Sequence, residues 1–68
     1  MSDIKTTLLE EGRVAVVTIN RPKKLNSLNW ENFADLKSAI EKLGKVGSEV
    51  RCIVLAGEGN HFTSGLDL

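Results

Sequence analysis

The chain has a single cysteine, a single proline, one histidine and no tyrosine, and only 4% of it is aromatic. With Cys52 alone, no internal disulfide can form, and a reducing compartment is the simpler setting. One histidine and one cysteine give no credible metal-ligand set. Cys52 stands between Arg51 and Ile53 in a strand pattern, so a packed thiol is expected rather than a reactive one. Net charge is missing too, since nine Lys/Arg balance nine Asp/Glu. A balanced chain has no strong field to recruit nucleic acid or an anionic membrane surface. No apolar run approaches the ~20 residues that cross a bilayer. The opening Met1-Ser2-Asp3-Ile4-Lys5 has an early acid and no apolar segment, so it reads neither as a signal peptide nor as a transit peptide. The expectation is a soluble protein with no nucleic-acid or membrane partner. Mitochondrial, peroxisomal and cytoplasmic locations all remain open.

What is present is an ordinary globular composition, with 41% apolar residues in 68. A chain of this size buries only ~60% of its unfolded surface. Ile4 to Glu10 reads as an edge strand, and Glu11-Gly12-Arg13 as a turn. Val14 to Ile19 is mostly β-branched and nearly continuous, the pattern of a strand covered on one face or both. Pro22 then removes a ladder donor and keeps Arg21 out of the helical region. Asn29 is placed to cap a helix whose apolar positions Trp30, Phe33, Leu36, Ile40 and Leu43 recur every three or four residues. That face, Trp30 and Phe33 included, is expected to be core. Gly44 suits the helix end, and Val50 to Ala56 supplies a further apolar strand. The fold class is therefore α/β, a ββαβ unit in which the last strand returns parallel through a right-handed crossover.

Two stretches carry possible chemistry. Arg21, Lys23 and Lys24 place three cations just beyond the end of a strand, which suits either a solvated loop or a phosphate contact. The closing run His61-Phe62-Thr63-Ser64-Gly65-Leu66-Asp67-Leu68 follows a buried-strand pattern and the glycine-rich Gly57-Glu58-Gly59-Asn60. A strand ending in glycines is how a fold brings backbone N–H groups to a ligand. Phe62 stands where a dinucleotide fingerprint needs its third glycine, and again where a serine nucleophile elbow needs its first. His61, Ser64 and Asp67 are neighbours in sequence, which does not make a triad. His61 and Glu58 are expected to be solvated.

Asn20-Arg21-Pro22-Lys23-Lys24-Leu25-Asn26-Ser27-Leu28, an amphipathic helix, Ile53-Val54-Leu55-Ala56-Gly57 and Phe62-Thr63-Ser64-Gly65-Leu66-Asp67-Leu68 follow one another in this order. Together they resemble the enoyl-CoA hydratase/isomerase (crotonase) superfamily. The resemblance runs from about Val14 to Leu68 and implies the start of a crotonase-like spiral fold, residues 1–68 being the N-terminal part of a single domain. It implies an acyl-CoA thioester as substrate, with coenzyme A as part of that substrate and no other cofactor. It implies fatty acid β-oxidation as the setting, and a homotrimer or hexamer as the assembly. By the same resemblance the backbone N–H of Leu66, after Gly65, is an oxyanion-hole donor. Lys23, Lys24 and Leu25 match the loop along the nucleotide part of CoA, and Ser64, Asp67 and Leu68 complete the substrate-binding set.

The chemistry agrees with a backbone donor. Taking a proton from the carbon next to a thioester, or adding water across the conjugated double bond, gathers charge on the carbonyl oxygen. A fixed N–H aimed at that oxygen favours the transition state over the ground state, by ~3 kcal/mol for one donor. A helix beginning near Asp67 would add its positive end. The bulky Leu66 after glycine leans toward the isomerases of the family rather than its hydratases. The second oxyanion donor and the proton-moving acids belong downstream, so residues 1–68 by themselves are expected to be inactive. The alternative, from length alone, is a small non-catalytic ββαβ binding or interaction module.

Overall fold

A computed structural model describes residues 3–66. Three strands, β1 (Ile4–Leu9), β2 (Val14–Ile19) and β3 (Cys52–Gly57), form one sheet in the order β1-β2-β3, with the helix α1 (Trp30–Leu43) between β2 and β3 in sequence. β1 and β2 are antiparallel, Ile4 opposite Ile19 and Leu9 opposite Val14. β2 and β3 are parallel, Val14 opposite Cys52 and Ile19 opposite Gly57. The ββαβ expectation holds, with β3 shifted to start at Cys52 instead of Val50 and β1 ending at Leu9 instead of Glu10. A short 3-10 turn over Glu10–Gly12 links the hairpin, closed by the Arg13 N–H donating to the Glu10 carbonyl at 3.1 Å.

Side chains alternate across a strand, so Ala15, Val17 and Ile19 share one face of β2. All three are buried, and Val17 and Ile19 join Ile4 and Leu28 in a cluster against which Leu36, Ala39, Leu43 and Ile53 pack. Burying a side chain of this size contributes about 1.5–3 kcal/mol, so these few contacts fix which face of the sheet takes the helix.

Helix α1 starts as expected at Asn29, though by a capping box made with Asn32. The Asn29 side chain accepts from the Asn32 N–H at 2.9 Å, and the Asn32 side chain accepts from the Asn29 N–H at 3.0 Å. The helix packs through Asn32, Leu36, Ala39 and Leu43, spaced four, three and four. Trp30 and Phe33 fall to the side of that stripe and are exposed, at 74% and 37%. The expectation that they belong to the core is therefore corrected: the stripe is centred on Leu36 and Ala39, and at about 100° per residue Phe33 lies about a quarter-turn from Asn32. Cys52 is exposed as well, because β3 is an edge strand and no second layer among the described residues covers its outer face. Gly44 ends the helix as expected, with φ −89°, a conformation open to any residue.

Candidate functional site

Beyond the ends of β2 and β3 the chain forms two loops, residues 20–29 and 58–66, which are bound to each other. The first opens with a 3-10 turn over Pro22–Lys24, after which Leu25 and Asn26 are both left-handed, with φ 54° and 56°. Asparagine tolerates that region and leucine does so at a cost, so the bend is held by its surroundings. The holding group is Asn26, only 1% exposed. Its side-chain oxygen accepts from the Arg21 N–H at 2.8 Å, and its amide nitrogen donates to the Glu58 carbonyl at 2.9 Å and the His61 carbonyl at 2.6 Å.

Arg21 does not act with the lysines as a third loop cation. Its guanidinium turns inward, donating to the Ser27 carbonyl and to Asn32 Oδ1 at 2.7 Å, with Asp3 Oδ2 at 3.6 Å from Nε. Asn32 Nδ2 reaches the same carboxylate at 3.1 Å. The loop, the helix start and the beginning of β1 are thereby tied into one polar network. Lys23 and Lys24 stay exposed on the outer side of the turn, beside the half-exposed Leu25.

The second loop leaves β3 at Gly57, where a side chain could not fit. A Cβ there would lie 2.4 Å from the Phe62 carbonyl oxygen and 2.5 Å from that of His61. The loop folds back over this glycine and then runs beside the first loop. The Ser64 N–H donates to the Leu25 carbonyl at 3.0 Å, and the Leu28 N–H donates to the Gly65 carbonyl at 2.8 Å. Leu28 and Leu66 form a parallel bridge. The Thr63 hydroxyl donates to the Asn26 carbonyl at 2.6 Å and accepts from the Gly65 N–H at 3.1 Å.

The Gly65–Leu66 peptide has a definite direction. Cis peptides are absent among the described residues, and in a trans unit the C=O and the following N–H point opposite ways. The Gly65 carbonyl faces Leu28, so the Leu66 N–H points away from the first loop. Leu66 is 53% exposed, and nothing lies within 4 Å of where a Gly65 Cβ would be. Of the residues singled out from sequence, Leu25, Ser64, Gly65 and Leu66 are brought together along one seam, while Lys23 and Lys24 stand on the 3-10 turn that precedes it. Asp67 and Leu68, with the helix expected to begin there, lie outside the described residues. His61 and Glu58 are exposed and join the seam through their carbonyls alone. Asn26 and Thr63 escaped the sequence reading. The left-handed tolerance of asparagine after a proline turn was the one local sign available for Asn26.

Among the described residues no group of three or more His, Cys, Asp or Glu could hold a metal ion. No helix among them is long and apolar enough to cross a membrane.

This arrangement has counterparts. A family model described as enoyl-CoA hydratase/isomerase matches residues 10–68. The short-chain-enoyl-CoA hydratase of Clostridium acetobutylicum is 41% identical over 68 residues, covering 97% of this chain and 26% of that protein. The mitochondrial Delta(3,5)-Delta(2,4)-dienoyl-CoA isomerase of Mus musculus is 40% identical over 52 residues, 76% of this chain and 16% of its own length. The crystal structure of an enoyl-CoA hydratase/isomerase from Xanthobacter autotrophicus Py2 superposes with a TM-score of 0.85 at 31% identity, over 97% of this chain and 23% of that one. The chain thus spans less than a third of the length of these proteins. A match over nearly all of its length, with the same strand, helix and loop order in space, places this chain in the enoyl-CoA hydratase/isomerase family.

Proposed function

We propose that this segment opens an acyl-CoA-processing domain and supplies one of the two donors that stabilise the enolate oxygen of a thioester. The observation that carries the reading is the Gly65–Leu66 peptide: its carbonyl is engaged by Leu28, which turns its N–H away from the first loop. An N–H held in this way before substrate arrives costs no reorganisation when charge develops on the thioester oxygen. Lys23 and Lys24 stand on the exposed turn that leads into this seam, where they would meet the phosphates of the CoA moiety, and Leu25 and Ser64, bonded across it, would line its path. Coenzyme A enters as part of the substrate, and Asp67 and Leu68 continue the substrate-binding run. The domain's acids and second donor would come from the remaining chain, in a homotrimer or hexamer.

Both reactions of the family, hydration and double-bond shift, pass through the same charged oxygen. The run Gly65-Leu66-Asp67-Leu68, with a bulky aliphatic residue after glycine, resembles the isomerases of the family more than its hydratases and so favours the isomerase reading. The breakdown of fatty acyl-CoA thioesters is the setting in which either activity would be used.

The test replaces the Leu66 amide with an ester by semisynthesis in the complete domain, which removes the N–H with little change in shape. The expected result is a fall in kcat of about 10²–10³ with CoA affinity retained, whereas Leu66→Ala, which keeps the N–H, alters acyl preference more than rate. An ester enzyme working at the normal rate would show that Leu66 is not the donor.

A further inference from the structure

We propose that the Thr63 hydroxyl is a positioning group for the Leu66 amide, anchored on the main chain of Asn26. The inference rests on the reading of Leu66 as the thioester-oxygen donor. Gly65, just before that amide, has φ +103°, a region that glycine enters freely and other residues rarely. Open space surrounds its Cα on the side where a Cβ would stand. Packing therefore does not hold this residue from that side, and its direction depends on hydrogen bonds. An oxyanion donor must keep its aim within about 10–20° to be effective.

Two tethers supply that aim. On the far side of the Gly65 Cα, the carbonyl is taken by the Leu28 N–H at 2.8 Å. On the near side, the Gly65 N–H donates to Thr63 Oγ1 at 3.1 Å. A hydroxyl has one proton and two lone pairs, so Thr63 can accept from Gly65 while donating to the Asn26 carbonyl at 2.6 Å. The anchor is firm because Asn26 is 1% exposed and its side chain bonds three backbone groups. The order of transmission is Asn26 to Thr63 to Gly65 to the Leu66 N–H. Serine at position 63 could make both bonds and valine neither, although valine has nearly the shape of threonine.

The complete domain carrying Thr63→Val, Thr63→Ser or Thr63→Ala would be compared for enoyl-CoA turnover, with CoA alone as the binding probe. Thr63→Val is expected to lower kcat by about ten- to a hundredfold, as a displaced catalytic group does, with KM and CoA affinity within about twofold. Thr63→Ser is expected to retain kcat within about threefold. Should Thr63→Val fail to fold, Thr63→Ala carries the same expectation without a branched side chain. A normal kcat for the variant lacking the hydroxyl, a loss confined to KM, or a serine variant as slow as valine would each overturn the positioning role. The Leu66 ester enzyme separates the two readings. If it is slow while Thr63→Val is fast, only the positioning role falls; if it is itself fast, both fall.

Discussion

At the scale of single residues, the two glycines of the closing loop serve different ends, and one substitution at each position separates them. Gly57 is constrained by space: a methyl group there would stand 2.4 Å from one backbone oxygen and 2.7 Å from the Phe62 Cα. Backbone cannot swing aside as the tip of a side chain can, so Gly57→Ala must displace the His61–Phe62 segment that Asn26 grips. The expected cost is about 1–3 kcal/mol of stability, or more, read as a lowered denaturation midpoint of the complete domain. Gly65 is constrained by conformation, since its Cβ position is open but its φ is +103°. Gly65→Ala should instead rotate the peptide that carries the Leu66 N–H, lowering kcat by more than its effect on stability accounts for. Equal effects on stability and rate at both positions would contradict this division.

At the scale of elements, much was legible in the sequence because the signals are local. The β-branched run of β2, the stop at Pro22 and the cap at Asn29 each depend on residues within a turn or two, and each stands where it was expected. Family resemblance marked residues in both loops, but the seam between them was not legible, because its bonds join residues far apart, Thr63 to Asn26 across 37 positions. No periodicity records which distant carbonyl an amide will meet. The same limit explains Trp30 and Phe33: spacing marked them as apolar on a helix, but the packed face was decided by Leu28 and β2. The exposed 3-10 turn yields a prediction of its own. If Lys23 and Lys24 run along CoA phosphates, Lys23→Glu with Lys24→Glu in the complete domain should weaken CoA binding at low salt. The difference should shrink as salt rises, because exposed charges are screened within about 10 Å at 0.1 M. Arg21 is excluded from the pair because its guanidinium already serves Ser27 and Asn32. Unchanged CoA affinity at low salt would return both lysines to a merely solvated turn.

At the scale of the whole molecule, the described residues have a well-defined sheet and a small core. Five apolar side chains are buried, Ile4, Ala15, Val17, Ile19 and Leu28, while ten large ones are exposed. β2 is paired on both sides, but among the described residues β1 and β3 each have one partner, leaving an open edge at either side of the sheet. The face opposite α1 carries Leu9 and Val54, 48% and 42% exposed, beside Val16. An open strand edge next to an uncovered apolar face invites pairing with another chain. With burial this slight, hydrophobic gain scarcely exceeds the entropy of ordering the loops. Residues 1–68 produced alone are therefore expected to associate, or to lack a cooperative transition, whereas the same residues within the complete domain unfold with it. Size-exclusion chromatography and thermal circular dichroism of the isolated peptide would decide. Association or a broad, shallow melt is the expected result. A monomer with a sharp, concentration-independent melt would instead show that this ββαβ unit stands by itself, reviving the reading of a small binding module in place of the opening of an enzyme domain.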